Sequence, residues 1–171
     1  MALQKFLALV SGRKQEVAPV DASAGAGDAG KLVALDTSGK IASTMMPVGI
    51  GADTKTLPAS ENLVAGDFVN LWDDAGTMKA RKADGATSGK ESDGFVLAAV
   101  IAPANATVYF EGTNTQLSAL TPGARYYLSA ATAGAAVTTP PSASGNVVQY
   151  LGKAASATEI TFEPDDGVIL A

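Results

Sequence analysis

The chain has 171 residues, a net charge of −5, and neither cysteine nor histidine. That composition removes disulfides, thiol nucleophiles, Cys/His zinc sites, Ser-His-Asp triads and imidazole acid–base catalysis. The apolar fraction of 47% is inflated by 33 alanines. A methyl group removes little area from water at about 25 cal/mol per Å², so a thin core completed by oligomerisation is expected.

Binding to free nucleic acid needs a basic stripe. Only Arg13-Lys14 and Lys79 with Arg81-Lys82 cluster, so no nucleic-acid partner is expected. No apolar run approaches the ~20 residues of a membrane span, so no membrane partner is expected either. The run Phe6-Leu7-Ala8-Leu9-Val10 falls short of the roughly 7–15 residues of a signal-peptide core, and Arg13 and Lys14 follow it closely.

Taken in chain order, the first 20 residues hold one β-like stretch, residues 6–10, closed by Ser11-Gly12. Residues 21–30 are almost all Ala, Gly, Ser and Asp and predict a loop or flexible joint. Within this loop Gly25-Ala26-Gly27-Asp28-Ala29-Gly30-Lys31 satisfies both G-x-G-x-x-G and G-x-x-x-x-G-K. Each motif needs a strand before it and a helix after it to present amides to phosphate. Neither is foreseen here, and the Ser or Thr that would hold Mg²⁺ is replaced by Leu32. Residues 31–35 and 40–41 flank the turn Asp36-Thr37-Ser38-Gly39 and read as a small hairpin. Met45, Met46 and Pro47 lead to Gly49-Ile50-Gly51, a hinge-like boundary.

From residue 52 short β-type runs alternate with Gly/Pro turns. Strands are predicted at 67–72 and 77–81 around the turn Asp73-Asp74-Ala75-Gly76, and at 106–111, 125–129, 146–151, 159–162 and 168–170. Residues 94–101 form the most apolar run and predict a strand buried on both faces. Thr121-Pro122-Gly123 marks a type II turn, residues 130–144 a low-complexity loop, and Pro164-Asp165-Asp166-Gly167 a turn. No helix is predicted, because Gly and Pro break every Ala-rich segment. The fold class expected is mainly β: a small antiparallel β-barrel or sandwich over residues 52–171. An extended N-terminal arm with a short hairpin, residues 1–51, precedes it.

The paired acids Asp73-Asp74, Glu91 with Asp93, and Asp165-Asp166 read as turn chemistry. They lack the cross-cleft pairing of a glycosidase and the spacing of an EF-hand. No catalytic residue, metal or cofactor is therefore assigned. Trp72, Tyr126, Tyr127 and Tyr150 are candidates for stacking on sugars or bases, against a core or subunit-interface role. Tyr126 and Tyr127 are adjacent in a predicted strand, so one should face inward and the other outward.

Residues 5–53 carry Lys5-Phe6-Leu7-Ala8-Leu9-Val10-Ser11-Gly12, Ala29-Gly30-Lys31-Leu32-Val33-Ala34-Leu35-Asp36 and Met46-Pro47-Val48-Gly49-Ile50-Gly51. Residues 119–171 carry Leu120-Thr121-Pro122-Gly123-Ala124-Arg125-Tyr126-Tyr127 and the ending Phe162-Glu163-Pro164-Asp165-Asp166. These stretches resemble the head decoration, cement or head-fibre proteins of tailed bacteriophages. The resemblance implies a non-enzymatic virion protein, made in the host cytoplasm and placed on the capsid surface. Its implied partners are the major capsid protein and copies of itself, as a homotrimer. The alternative is a head- or tail-fibre subunit that binds host-surface carbohydrate. In the first reading the N-terminal stretch adds a strand to a capsid sheet edge, with Phe6, Leu7, Leu9 and Val10 as the contact residues.

Overall fold

The computed structural model describes residues 4–46 and 52–171. The predicted hinge at Gly49-Ile50-Gly51 lies outside the described residues. The chain divides into two compact units, Met1–Gly51 and Ala52–Ala171.

In the first unit β1 (Phe6–Val10) and β2 (Arg13–Val17) form an antiparallel ribbon. The hairpin predicted at residues 31–41 is not built; the ribbon at 6–17 is the unit's hairpin. Val33 instead makes a single parallel bridge to Val20, and the Leu32 carbonyl accepts the Val20 N–H at 2.9 Å. The predicted turn does form. The Asp36 carboxylate accepts the Ser38 hydroxyl at 2.6 Å, the Ser38 amide at 2.8 Å and the Lys40 amide at 3.0 Å. These donors satisfy the turn locally and compete with strand pairing on either side of it.

The Ser38 hydroxyl first, and the Lys40 amide second, hold the Asp36 carboxyl below its ordinary value. A lowered folded value means that the ionised carboxylate supports the turn at neutral pH, and that this support is lost as pH falls through that value. The amide resonances of Ser38 and Lys40 should therefore titrate together in an NMR pH series, with a midpoint below the ~3.9 of a free Asp. A midpoint at or above that value would contradict the cap.

The second unit is mainly β and antiparallel. Its strands are β3 (Thr54–Pro58), β4 (Phe68–Asp74), β5 (Thr77–Lys82), β6 (Gly94–Val96), β7 (Asn105–Tyr109), β8 (Gly112–Asn114), β9 (Arg125–Leu128), β10 (Ala136–Val137), β11 (Val147–Val148), β12 (Tyr150–Ala154), β13 (Ile160–Phe162) and β14 (Val168–Ile169). One five-stranded sheet has the order β3-β7-β6-β4-β5, a second the order β10-β9-β12-β13-β8, and β11 and β14 pair as a ribbon. The first sheet curls until Ala59, one residue past β3, bridges Ala80 on β5. The two antiparallel sheets fit a sandwich.

Alternation along the strands explains the layering. On β4 and β6, Phe68 and Phe95 face the second sheet and pack with Tyr126, Leu128, Leu151, Ile160 and Phe162. Their neighbours Val69 and Val96 face the other way, onto Leu63, Ala80, Ala106 and Val108. Phe162 sits between the layers, with ring centroids 5.5 Å from Phe95 and 5.8 Å from Phe68.

The β4–β5 hairpin turns through Ala75 and Gly76, both at positive φ (52° and 86°), as a two-residue type I′ turn requires. At Thr121-Pro122-Gly123 the Ala124 N–H donates to the Thr121 carbonyl and Gly123 has φ 81°, which makes the predicted type II turn. Three expectations need correction. The apolar run at 94–101 is a doubly buried strand only through Val96, because its sheet neighbour β4 begins at Phe68. Beyond it the chain makes one bridge, Val100 to Leu63, and leaves Ile101 exposed. Residues 163–167 do not turn back: the Glu163 and Asp165 amides donate to Leu151 and Tyr150, so the chain runs on beside β12. The low-complexity loop at 130–144 contains β10, which pairs with β9.

Candidate functional site

The predicted contact residues Phe6, Leu7, Leu9 and Val10 all lie on β1. The Ser11-Gly12 connection has φ 50° and 78°, the positive pair of a type I′ turn, so β1 folds straight back along β2. The register pairs Leu7 with Glu16, Leu9 with Lys14, and Val10 with Arg13. Leu7 and Leu9 therefore share one face with Lys14 and Glu16. Phe6, Ala8 and Val10 share the other with Arg13, Gln15 and Val17.

Leu7 and Leu9 are each 74% exposed, and Val10 is also exposed; Phe6 is half-buried. Lys5 reaches Glu16 at 3.5 Å with both side chains exposed, and such a pair contributes little. No described residue of the first unit is buried. Its exposed apolar side chains also include Leu32, Val33, Leu35 and Ile41. A two-stranded ribbon in water is marginal without a third strand or a packed face. The ribbon is thus an apolar, cationic element whose edges pair with no further strand among the described residues.

Sequence reasoning missed β2, having taken Arg13-Lys14 only as a small basic cluster. The available signal was Ser11-Gly12, a turn dipeptide between two five-residue runs. A polar β2 lacks the apolar alternation that marks a strand.

The other candidates resolve into structural roles. In the Gly-rich segment, Ala26–Asp28 form a 3-10 turn. The Asp28 carboxylate accepts the Ala24 amide and Lys31 Nζ, each at 2.6 Å, so the lysine serves the turn. The Lys31 ammonium first, then the Ala24 amide, hold the Asp28 carboxyl below its ordinary value. Asp73 accepts the Gly76 amide and Asp74 pairs with Lys79, which is the turn chemistry expected of that pair. Asp93 accepts the Leu71 amide at 2.7 Å and Asn70 Nδ2 at 3.2 Å. Partial burial pushes its carboxyl above the ordinary value.

Of the adjacent tyrosines, Tyr126 faces the core and its hydroxyl accepts the Thr121 amide, while Tyr127 is half-buried and meets Tyr150 edge-on. Arg81 lies over the Trp72 ring at 5.0 Å and Arg125 over Tyr150 at 5.4 Å. Trp72 Nε1 donates to the Ser60 hydroxyl. One face of each ring is therefore already occupied. An open groove lined by Ala119, Thr121, Tyr126 and residues 136–139 carries no charged side chain. Among the described residues no three His, Cys, Asp or Glu side chains gather to hold a metal ion. No helix among them is long and apolar enough to cross a membrane.

No protein-family model matches the chain, and no match is found among curated proteins or solved structures.

Proposed function

We propose that the chain is a structural virion protein, a capsid decoration or cement protein that binds the outer surface of a phage head and stabilises the expanded shell. It works by surface burial, without catalysis or cofactor. The observation that carries this reading is the β1–β2 ribbon, which exposes Leu7, Leu9 and Val10 in a unit with no buried residue among those described. Such an element gains its stability from the surface it joins. The resemblance of residues 5–53 and 119–171 to head decoration proteins supplies the surface: the major capsid protein.

The energetics follow from linkage. A ligand that binds only the expanded shell stabilises it by roughly 4 kcal/mol per site at 1,000-fold its Kd, and a shell offers many equivalent sites. Purified chain added to heads that lack it should therefore raise, saturably, the temperature at which they release DNA. A variant lacking residues 1–20 should fail to do so. Heads equally labile with and without saturating chain would overturn the proposal.

A further inference from the structure

We infer that the second unit takes an extended, uncharged peptide segment of a partner protein into a cleft between residues 116–121 and residues 134–139. The cleft has two lobes. The larger, about 490 Å³, is lined by Thr121, Tyr126 and Thr138 among others, and the smaller, about 260 Å³, by Gly66, Asp67 and Gln116. Ala136 lines both, so the lobes adjoin. The larger lobe falls within the roughly 300–1,000 Å³ of ligand clefts.

Backbone bonds fix both walls. The Leu117 and Leu120 amides donate to the Thr158 and Ala157 carbonyls at 3.3 and 3.0 Å. Opposite them the Gly134 amide donates to the Ala83 carbonyl at 2.7 Å, and β10 continues that wall by pairing with β9. The cleft is formed before a ligand arrives, so binding spends little on ordering it.

Two side chains that are more than nine-tenths buried each keep a polar group free in this cleft. Asp67 is 7% exposed. Its Oδ2 accepts the Val64 amide at 2.8 Å and faces Lys82 Nζ at 3.3 Å, whereas Oδ1 accepts no hydrogen bond from a described residue. A Cβ built on Gly134 would stand 2.7 Å from Oδ1, so this oxygen lies at the cleft wall that Gly134 leaves open. Tyr126 is 5% exposed. Its hydroxyl accepts the Thr121 amide at 2.9 Å, and its own proton meets no acceptor among the described residues. Buried polar groups are ordinarily matched, so a free acceptor in one lobe and a free donor in the other are placed to meet a ligand.

The ligand's chemistry follows by elimination. An acceptor and a donor suit the N–H and C=O groups of a peptide chain. Asp67 is the one charged residue that lines either lobe, and Lys82 neutralises it, so neither a cation nor an anion is selected. Tyr126 packs its ring into the core, which leaves no aromatic face for a sugar ring to stack on. The small residues Gly66, Gly134, Ala119 and Ala136 admit a main chain at close range but form no deep pocket for a large side chain. β10 is the edge strand of its sheet, so its wall offers main-chain groups to an added strand. The cleft belongs to the second unit and shares no residue with the β1–β2 ribbon, so this inference and the decoration reading fail separately.

The test is an amide NMR titration of the isotope-labelled full-length chain with a blocked pentapeptide of alternating alanine and threonine. Saturable shifts are expected at residues 65–67, 116–121 and 134–139. The same peptide with N-methylated alanines should bind several-fold more weakly, because it loses donors along the main chain. Tyr126→Phe should weaken binding about two- to tenfold, the worth of one hydrogen bond. Ser118→Trp, at an exposed position lining the smaller lobe, should block binding by bulk, and it decides the matter if Tyr126→Phe fails to fold. No saturable shift, shifts confined to other residues, or unchanged affinity in the folded variants would overturn the inference. So would tighter binding at the same amides by methyl glucoside, or by a pentapeptide carrying glutamate or lysine.

Discussion

Replacing Phe162 by alanine should destabilise the second unit by about 3–5 kcal/mol, the range for truncating a buried aromatic in a core. Phe162 projects from β13 of one sheet onto Phe68 and Phe95 of the other, so its ring is shared by both layers. The two aromatic contacts are each worth about 0.5–1.5 kcal/mol beyond area burial. Alanine removes both and leaves a void that small neighbours such as Ala83 and Ala154 cannot fill by shifting rotamers. The loss is a large part of the 5–15 kcal/mol by which a domain is ordinarily stable. The single tryptophan, Trp72 on β4, reports unfolding from the opposite sheet. Urea denaturation followed by its fluorescence should show the midpoint falling steeply with little change in slope. A Val168→Ala control, at an exposed strand position, should stay within about 0.5 kcal/mol. A loss below about 1 kcal/mol for Phe162→Ala would mean that the sheets are not joined through this ring.

The second large effect is on binding and should leave that unfolding curve unchanged. Leu7 and Leu9 make no buried contact in the free chain, so Leu7→Asp with Leu9→Asp removes nothing from its core. Burying each leucine against a partner is worth about 1.5–3 kcal/mol. The pair therefore contributes a factor of about 10²–10⁴ in affinity, and the aspartates add a desolvation cost. Co-sedimentation of the double variant with phage heads should show binding weakened by at least that factor. Weakening by less than about tenfold would remove Leu7 and Leu9 from the interface.

Much of the fold was legible because its strands are punctuated by residues with specific backbone geometry. Ala75-Gly76 and Pro122-Gly123 each mark a turn type, and the turns bound the strands on either side. Legibility failed where the pattern did not carry the cause. The run at 94–101 is apolar throughout, yet it stops being a strand once it runs past the start of β4 at Phe68, a tertiary fact with no local signal. β2 is polar because neither of its faces is buried, so no alternation announces it. β10 hides in an Ala/Thr stretch because a two-residue edge strand needs little side chain to pair. At the candidate site, the β1 residues were readable as an apolar run. Their presentation on a ribbon with cationic partners was not, since it depends on the register set by Ser11 and Gly12.

The most direct measurement of the central claim is a pair of particle images at modest resolution, one of virions carrying the chain and one of virions from which its gene has been deleted. The decoration reading predicts difference density repeated over the head with the symmetry of the capsid lattice and absent from the tail. Difference density confined to the tail or to isolated fibres, with the shell surface unchanged, would contradict it and favour a carbohydrate-binding fibre subunit instead.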